Sequence, residues 1–210
     1  MKTVKLLQIL VIIILLSACA SSKITNTWIS QKTSIQKYNK IMVVGINGNE
    51  TWGSKEKMER ELVERLREKG QNAVAASDTY GPKAFRNLNE DTVINKLQGT
   101  GVDAVLTIVL LNKTKEKYYV PARVYYSPYI MYHHRFWGYY NTMTARIYTP
   151  GYYTYDKKYF WESNLYDMKT KELVYSVQTE SFNPSSSEQL AHEYSDLIIK
   201  NMSKNSVIPF

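Results

Sequence analysis

A mixed α/β (α+β) domain is predicted by three features of the sequence. Ile41-Met42-Val43-Val44-Gly45-Ile46 is a short apolar run of the kind a strand covered on both faces requires. Two helical patterns follow, separated by strand-like stretches that end at the apolar run Val102 to Leu111, and this alternation demands crossover connections. Near the end, two alternating stretches, Tyr159 to Asp167 and Leu173 to Glu180, flank the polar connector Met168-Lys169-Thr170-Lys171, which predicts an antiparallel hairpin. The expected architecture is three-layer-like. It has a mixed sheet with two crossover helices, a C-terminal hairpin and a terminal helix.

Each element has its own signature. Met58, Leu62, Val63 and Leu66 form one stripe, while Glu56/Arg60, Lys57/Glu61 and Glu61/Arg65 stand four apart on a face expected to be solvated, so an amphipathic helix ends at Gly70. Asn72 to Ala76 suits a second strand. Asn89 or Asp91 caps a brief helix carrying Val93, Ile94 and Leu97. In the hairpin, Tyr159, Trp161 and Leu165 share one face with Leu173, Tyr175 and Val177, which leaves Glu162 on the wet side. Ser185 and Glu188 have the spacing of a capping box before the stripe Leu190, Tyr194, Leu197 and Ile198.

The first eighteen residues carry an address. Lys2 and Lys5 precede Leu6 to Leu16, apolar except for Gln8 and shorter than the roughly 20 residues a bilayer span needs, so residues 1–18 are expected to be a cleaved export signal. Leu16-Ser17-Ala18-Cys19 resembles the lipobox of bacterial lipoproteins, in which the Cys is acylated and becomes the first mature residue. Cys19 is therefore the expected lipidation site, bearing acyl chains that include palmitate. More than one chain is needed for stable anchoring. Ala20 and Ser21 follow, with no Asp beside the Cys, so an outer-membrane address on the periplasmic side is expected. Residues 19–37, rich in Ser, Thr, Lys, Asn and Gln, are expected to be a lipidated tether, and 38–210 a single domain with a Tyr-rich insertion at 118–160.

Composition excludes several functions. The chain of 210 residues has one Cys and three His, which rules out a disulfide scaffold and a Cys-rich metal protein. Removing residues 1–18 leaves 25 Lys+Arg against 19 Asp+Glu, a net +6. An exported lipoprotein meets no nucleic acid, so the expected partner is the membrane, reached through the anchor. Gly48 to Lys55 lacks the Lys-Ser/Thr order of a phosphate loop, and no nucleotide, metal or other cofactor is expected. His133 and His134 are neighbours, whose side chains diverge on a strand, and His192 with Glu188 suits an exposed helix pair. No Gly-x-Ser-x-Gly elbow occurs. Asp103 fits a strand-edge hydrogen-bonding role.

Residues 118–160 hold thirteen of the eighteen tyrosines. Tyr125, Tyr126, Tyr129, Tyr132, Trp137, Tyr139, Tyr140, Tyr152 and Tyr153 are candidates for contact with an envelope protein, a second copy of the chain or a glycan, and alternatively cover a bare sheet. The expected function is a non-enzymatic binding or assembly module of unknown molecular activity. The alternative is a hydrolase or metal-dependent enzyme acting on envelope polymer.

Several motifs together resemble a group of small bacterial outer-membrane lipoproteins whose domain is similar to the amino-terminal α/β domain of TolB. They are Trp28, Tyr-x-Lys-Ile-x-Val-Val (Tyr38 to Val44), Glu-Leu-x-x-x-Leu (Glu61 to Leu66), Gly-Val-Asp-Ala-Val-Leu (Gly101 to Leu106), Glu-Ser-x-Leu-Tyr-Asp (Glu162 to Asp167) and Leu-Val-Tyr-Ser (Leu173 to Ser176). Lys171 stands where such hairpins commonly have Gly, and Tyr175 where Trp is frequent. The resemblance implies no catalytic residues and favours an envelope component.

Overall fold

The computed structural model describes residues 21–31, 37–46, 52–116, 136–140 and 156–210. Six strands form one mixed sheet: β1 (Ser22–Ile29), β2 (Ile41–Ile46), β3 (Ala73–Ala75), β4 (Ala104–Glu116), β5 (Asp156–Asp167) and β6 (Leu173–Phe182). Their order across the sheet is β1-β6-β5-β4-β2-β3. Among the described residues there are five helices: α1 (Trp52–Glu68), α2 (Ala76–Tyr80), α3 (Glu90–Gly99), α4 (residues 136–140) and α5 (Ser187–Lys204).

The predicted division of the sheet is present. β3 and β4 flank β2 in parallel, as the helical crossovers require, whereas β4, β5, β6 and β1 are antiparallel in turn. Side-chain alternation along β4 separates two cores. Ala104, Leu106 and Ile108 join Met58, Leu62 and Leu66 of α1 and Tyr194 and Ile198 of α5. Val105 and Val109 face the other way, with Val93 and Leu97 of α3 and Phe136 and Tyr139 of α4. Helices thus cover both faces.

Local chemistry sets the boundaries. Gly70, at φ 79°, ends α1 in the left-handed conformation, and the N–H of Gln71 donates to Leu66 O. The Asn89 side chain accepts from Thr92 N at 2.9 Å and caps α3. Asp103 accepts from Asn39 N and Lys40 N at 2.9 and 3.0 Å, tying the entry of β2 to that of β4. In the β5–β6 connector the Asp167 carboxylate accepts from Lys169 N and Thr170 N.

Five expectations are corrected. The chain assigned to a tether forms β1, paired along β6 from Ser22↔Ser181 to Ile29↔Tyr175, so the sheet begins well before Tyr38. Glu162 is buried rather than wet, because the second face of β5 is covered as well. Leu173 packs on that second face, since the register shifts between Leu165 and Tyr166. On α1 the Glu61–Arg65 pair forms, but Arg60 turns to Asp78 and Lys57 to Glu188 on neighbouring elements. The cap of α5 is Ser186, one residue later than expected, with its hydroxyl accepting from Gln189 N at 3.0 Å.

Candidate functional site

Cys19, the expected lipidation site, lies outside the described residues, and the chain is held in the sheet from Ser21 onward. Phe182 N donates to Ser21 O at 2.7 Å. The hydroxyls of Ser21 and Ser22 both donate to Glu193 Oε2 on α5, at 2.5 and 3.3 Å, and Ser22 also bonds Ser181 Oγ at 2.8 Å. These contacts place Ser21 and Ser22 at one end of the sheet, where β1 starts and β6 ends. β4 and β5 reach the same end, with Thr114 opposite Lys158 and Lys158 opposite Phe182. Sequence reasoning passed over this stapling because β1 is polar. Its β-branched Ile24, Thr25, Thr27 and Ile29 were the available signal.

Of the aromatic candidates, Tyr125, Tyr126, Tyr129, Tyr132, Tyr152 and Tyr153 lie outside the described residues, as do His133 and His134. Tyr139 and Tyr140, expected on an exposed face, are buried at 0% and 7% exposure. Tyr139 packs against Tyr166 of β5, and Tyr140 packs against Phe85 and donates to Ala84 O at 3.2 Å. Trp137 is half-buried and stacks on Tyr140 with centroids 5.3 Å apart. The physical reason is that the second sheet face needs a cover and α4 supplies part of it. The crevice beside Trp137, between Glu90, Val93, Phe136 and Lys171, is about 10 Å³, room for one water molecule at most.

The buried charges are held by fold-forming partners. Glu59 accepts from Gly45 N at 2.7 Å and Ser77 N at 2.9 Å, and lies 3.8 Å from Lys55 Nζ. Burial raises the Glu59 carboxyl above its ordinary range and lowers the Lys55 amine, and the attraction between them offsets this only in part. Glu162 accepts from Asn164 Nδ2 at 3.0 Å and Gln178 Nε2 at 2.8 Å. Opposite, Tyr194 lies 2.5 Å from Ser163 Oγ, and burial pushes its phenol above the usual range.

His192 Nδ1 sits 3.0 Å from Glu61 and its Nε2 4.0 Å from Asp196, in the surface network that Arg65 organises between α1 and α5. Among the described residues no three His, Cys, Asp or Glu side chains converge as metal ligands. None of their helices is long and apolar enough to cross a membrane.

No protein-family model and no curated protein matches the chain. Solved structures do. A point variant of PelC from Paraburkholderia phytofirmans, a dodecamer, is 14% identical over 89% of this chain and 99% of its own, with a TM-score of 0.47. A second crystal form of the PelC dodecamer gives 11%, 90%, 98% and 0.48. Lipoprotein GNA1162 from Neisseria meningitidis is 14% identical over 79% of this chain and 98% of its own, at 0.42. At these identities and scores the likeness transfers no function to this chain.

Proposed function

We propose that the chain is a lipid-anchored module of the bacterial cell envelope, held at the periplasmic side of the outer membrane, which acts by binding or assembly and not by catalysis. The observation that carries this reading is the lipobox Leu16-Ser17-Ala18-Cys19, separated by two residues from the first strand of a folded sheet. An export signal, an acylated Cys and a domain that begins at once describe a protein built to stay at a membrane surface. The resemblance to bacterial lipoproteins with a TolB amino-terminal-like domain points the same way. The carboxylates add support, because buried Glu59 and Glu162 and part-buried Asp103 are each engaged by backbone or amide donors of the fold itself.

Two measurements test the reading. Changing Cys19→Ser should move the protein from the membrane fraction to the soluble fraction, or trap the uncleaved precursor; a processed variant that partitions like wild type overturns the anchor. Incubating the purified domain with isolated cell-wall polymer and lipopolysaccharide should release no soluble fragment. Release that scales with protein concentration overturns the non-catalytic half.

A further inference from the structure

The mature chain has only Ala20 and Ser21 between the acylated Cys19 and the first residue of β1. Three Cα–Cα steps of 3.8 Å span at most about 11 Å in any conformation. Ser21 and Ser22 are bound to Phe182, Ser181 and Glu193, so the fold offers no slack beyond that reach. One end of the sheet is therefore confined to the membrane surface by covalent geometry alone.

The side chains at that end suit such a surface. Phe182 is 42% exposed, one of two large hydrophobic residues so exposed among those described. Lys158 pairs with it across β5 and β6 and holds its ammonium 5.9 Å from the ring centroid. Lys157 is exposed beside it, its backbone bonded in both directions to Asn183. Lys113 is exposed on β4, with its ammonium 5.4 Å from the Tyr159 ring, and Lys23 bridges to Glu180 at 3.3 Å. Of the acids here, Glu193 is occupied by the two serine hydroxyls, and Glu116 and Asp156 stand opposite each other where β4 ends and β5 begins. Lysines with long apolar stems around an exposed aromatic ring fit a bilayer interface, where the ring meets the acyl boundary and the ammonium groups meet phosphates.

We infer that the end of the sheet carrying Phe182, Lys157, Lys158 and Lys113 rests on the headgroups of the bilayer that holds the anchor, with the phospholipid phosphate as its ligand. The domain then stands upright, its β5–β6 connector roughly 35 Å from the membrane at about 3.3 Å per strand residue. This inference rests on the lipid-anchor reading, and the experiment separates the two.

Because Cys19 is the one cysteine and is consumed by acylation, Lys157→Cys or Lys169→Cys provides the only free thiol of the mature protein. Each lipidated variant is labelled with a nitroxide and reconstituted into phosphatidylethanolamine/phosphatidylglycerol vesicles containing a headgroup-chelated paramagnetic ion. Relaxation enhancement should be several-fold greater at 157 than at 169. Adding Lys158→Glu and Phe182→Ser should reduce the enhancement at 157 at least twofold, while mass spectrometry confirms that the acyl group is retained. Equal enhancement at the two positions in acylated protein overturns the upright orientation and leaves the anchor standing. An unchanged signal in the double variant overturns the assignment of Lys158 and Phe182 to the contact. Protein with an unmodified Cys19 overturns the anchor reading and the orientation together.

Discussion

The carboxylate of Glu59 receives the backbone N–H of Gly45 at 2.7 Å, joining the first turns of α1 to the end of β2. A Cβ on Gly45 would meet the Lys55 side chain at 2.7 Å and the same carboxylate at 3.0 Å, so only a glycine lets the helix come this close. Glu59 takes a second backbone N–H, from Ser77, on its other oxygen. A glutamine offers one acceptor oxygen and must turn its amide nitrogen towards a donor. Glu59→Gln is therefore expected to cost about 1–3 kcal/mol in urea unfolding, the range for a buried group left unsatisfied.

That cost should depend on pH. Burial raises the folded Glu59 above its ordinary value near 4.5. A group that holds its proton more tightly folded than unfolded contributes stability that is full below the unfolded value and is lost as pH rises through the folded one. Lys55 is lowered, so its neutral form is favoured on folding and its contribution grows as pH rises towards 10.5. The gap between wild type and Glu59→Gln should thus be larger at pH 4.5 than at pH 7. A gap that widens with rising pH contradicts the assignment.

Lys171 sits at φ 62°, in the left-handed region, at the end of the β5–β6 connector. A side chain there strains the backbone and glycine does not. Its ion pair with Glu90, at 3.7 Å and more than a third exposed on both sides, contributes little. Lys171→Gly is expected to stabilise the domain by about 0.5–1 kcal/mol. In a domain of this size that raises Tm by roughly 1–4 °C, measurable by calorimetry.

Tyr139 and Tyr140 belong to the core of the second sheet face. Tyr139→Ala should cost about 3–5 kcal/mol, as truncation of a buried aromatic does, and lower Tm by roughly 6–20 °C. Tyr140→Phe, which keeps the ring and loses the bond to Ala84 O, should cost about 1 kcal/mol. A thermal scan that finds Tyr139→Ala as stable as wild type would return these rings to the surface.

What could be read in advance divides along physical lines. β2, β4 and the stripe of α1 were legible because buried apolar runs have no other stable use. Asn89 was legible because a cap acts through its near neighbours. Glu59 and Glu162 were hidden, since a charge in a helix or an alternating strand signals water unless its buried partners are known, and those partners are the backbone of Gly45 and Ser77 and the amide of Gln178. The shift of register at Leu165/Tyr166, which moved Leu173 across the sheet, likewise leaves no mark on residue type. Tyr139 and Tyr140 were misplaced because tyrosine tolerates either environment.

β1 is the most consequential case, because it decides where the folded unit starts. An edge strand pairs on one side only, so Ser22 to Ile29 alternates weakly and resembles a linker in composition. Yet Ile24 and Ile29 pack against one core and Trp28 against the other. Asn201 Nδ2 also donates to Thr27 Oγ1 at 3.2 Å, tying the strand to α5. Removing it uncovers the pairing edge of β6 from Tyr175 to Ser181 and takes away the packing of three large side chains, each contributing about 1.5–3 kcal/mol if fully buried and part of that here. A chain beginning at Tyr38 is therefore expected to unfold at least 10 °C below one beginning at Ser21, and to aggregate through the bared β6 edge. Unfolding scans and light scattering of the two lengths check this. Equal Tm and equal scattering would mean that β1 is an accessory strand and that the domain starts where composition first placed it.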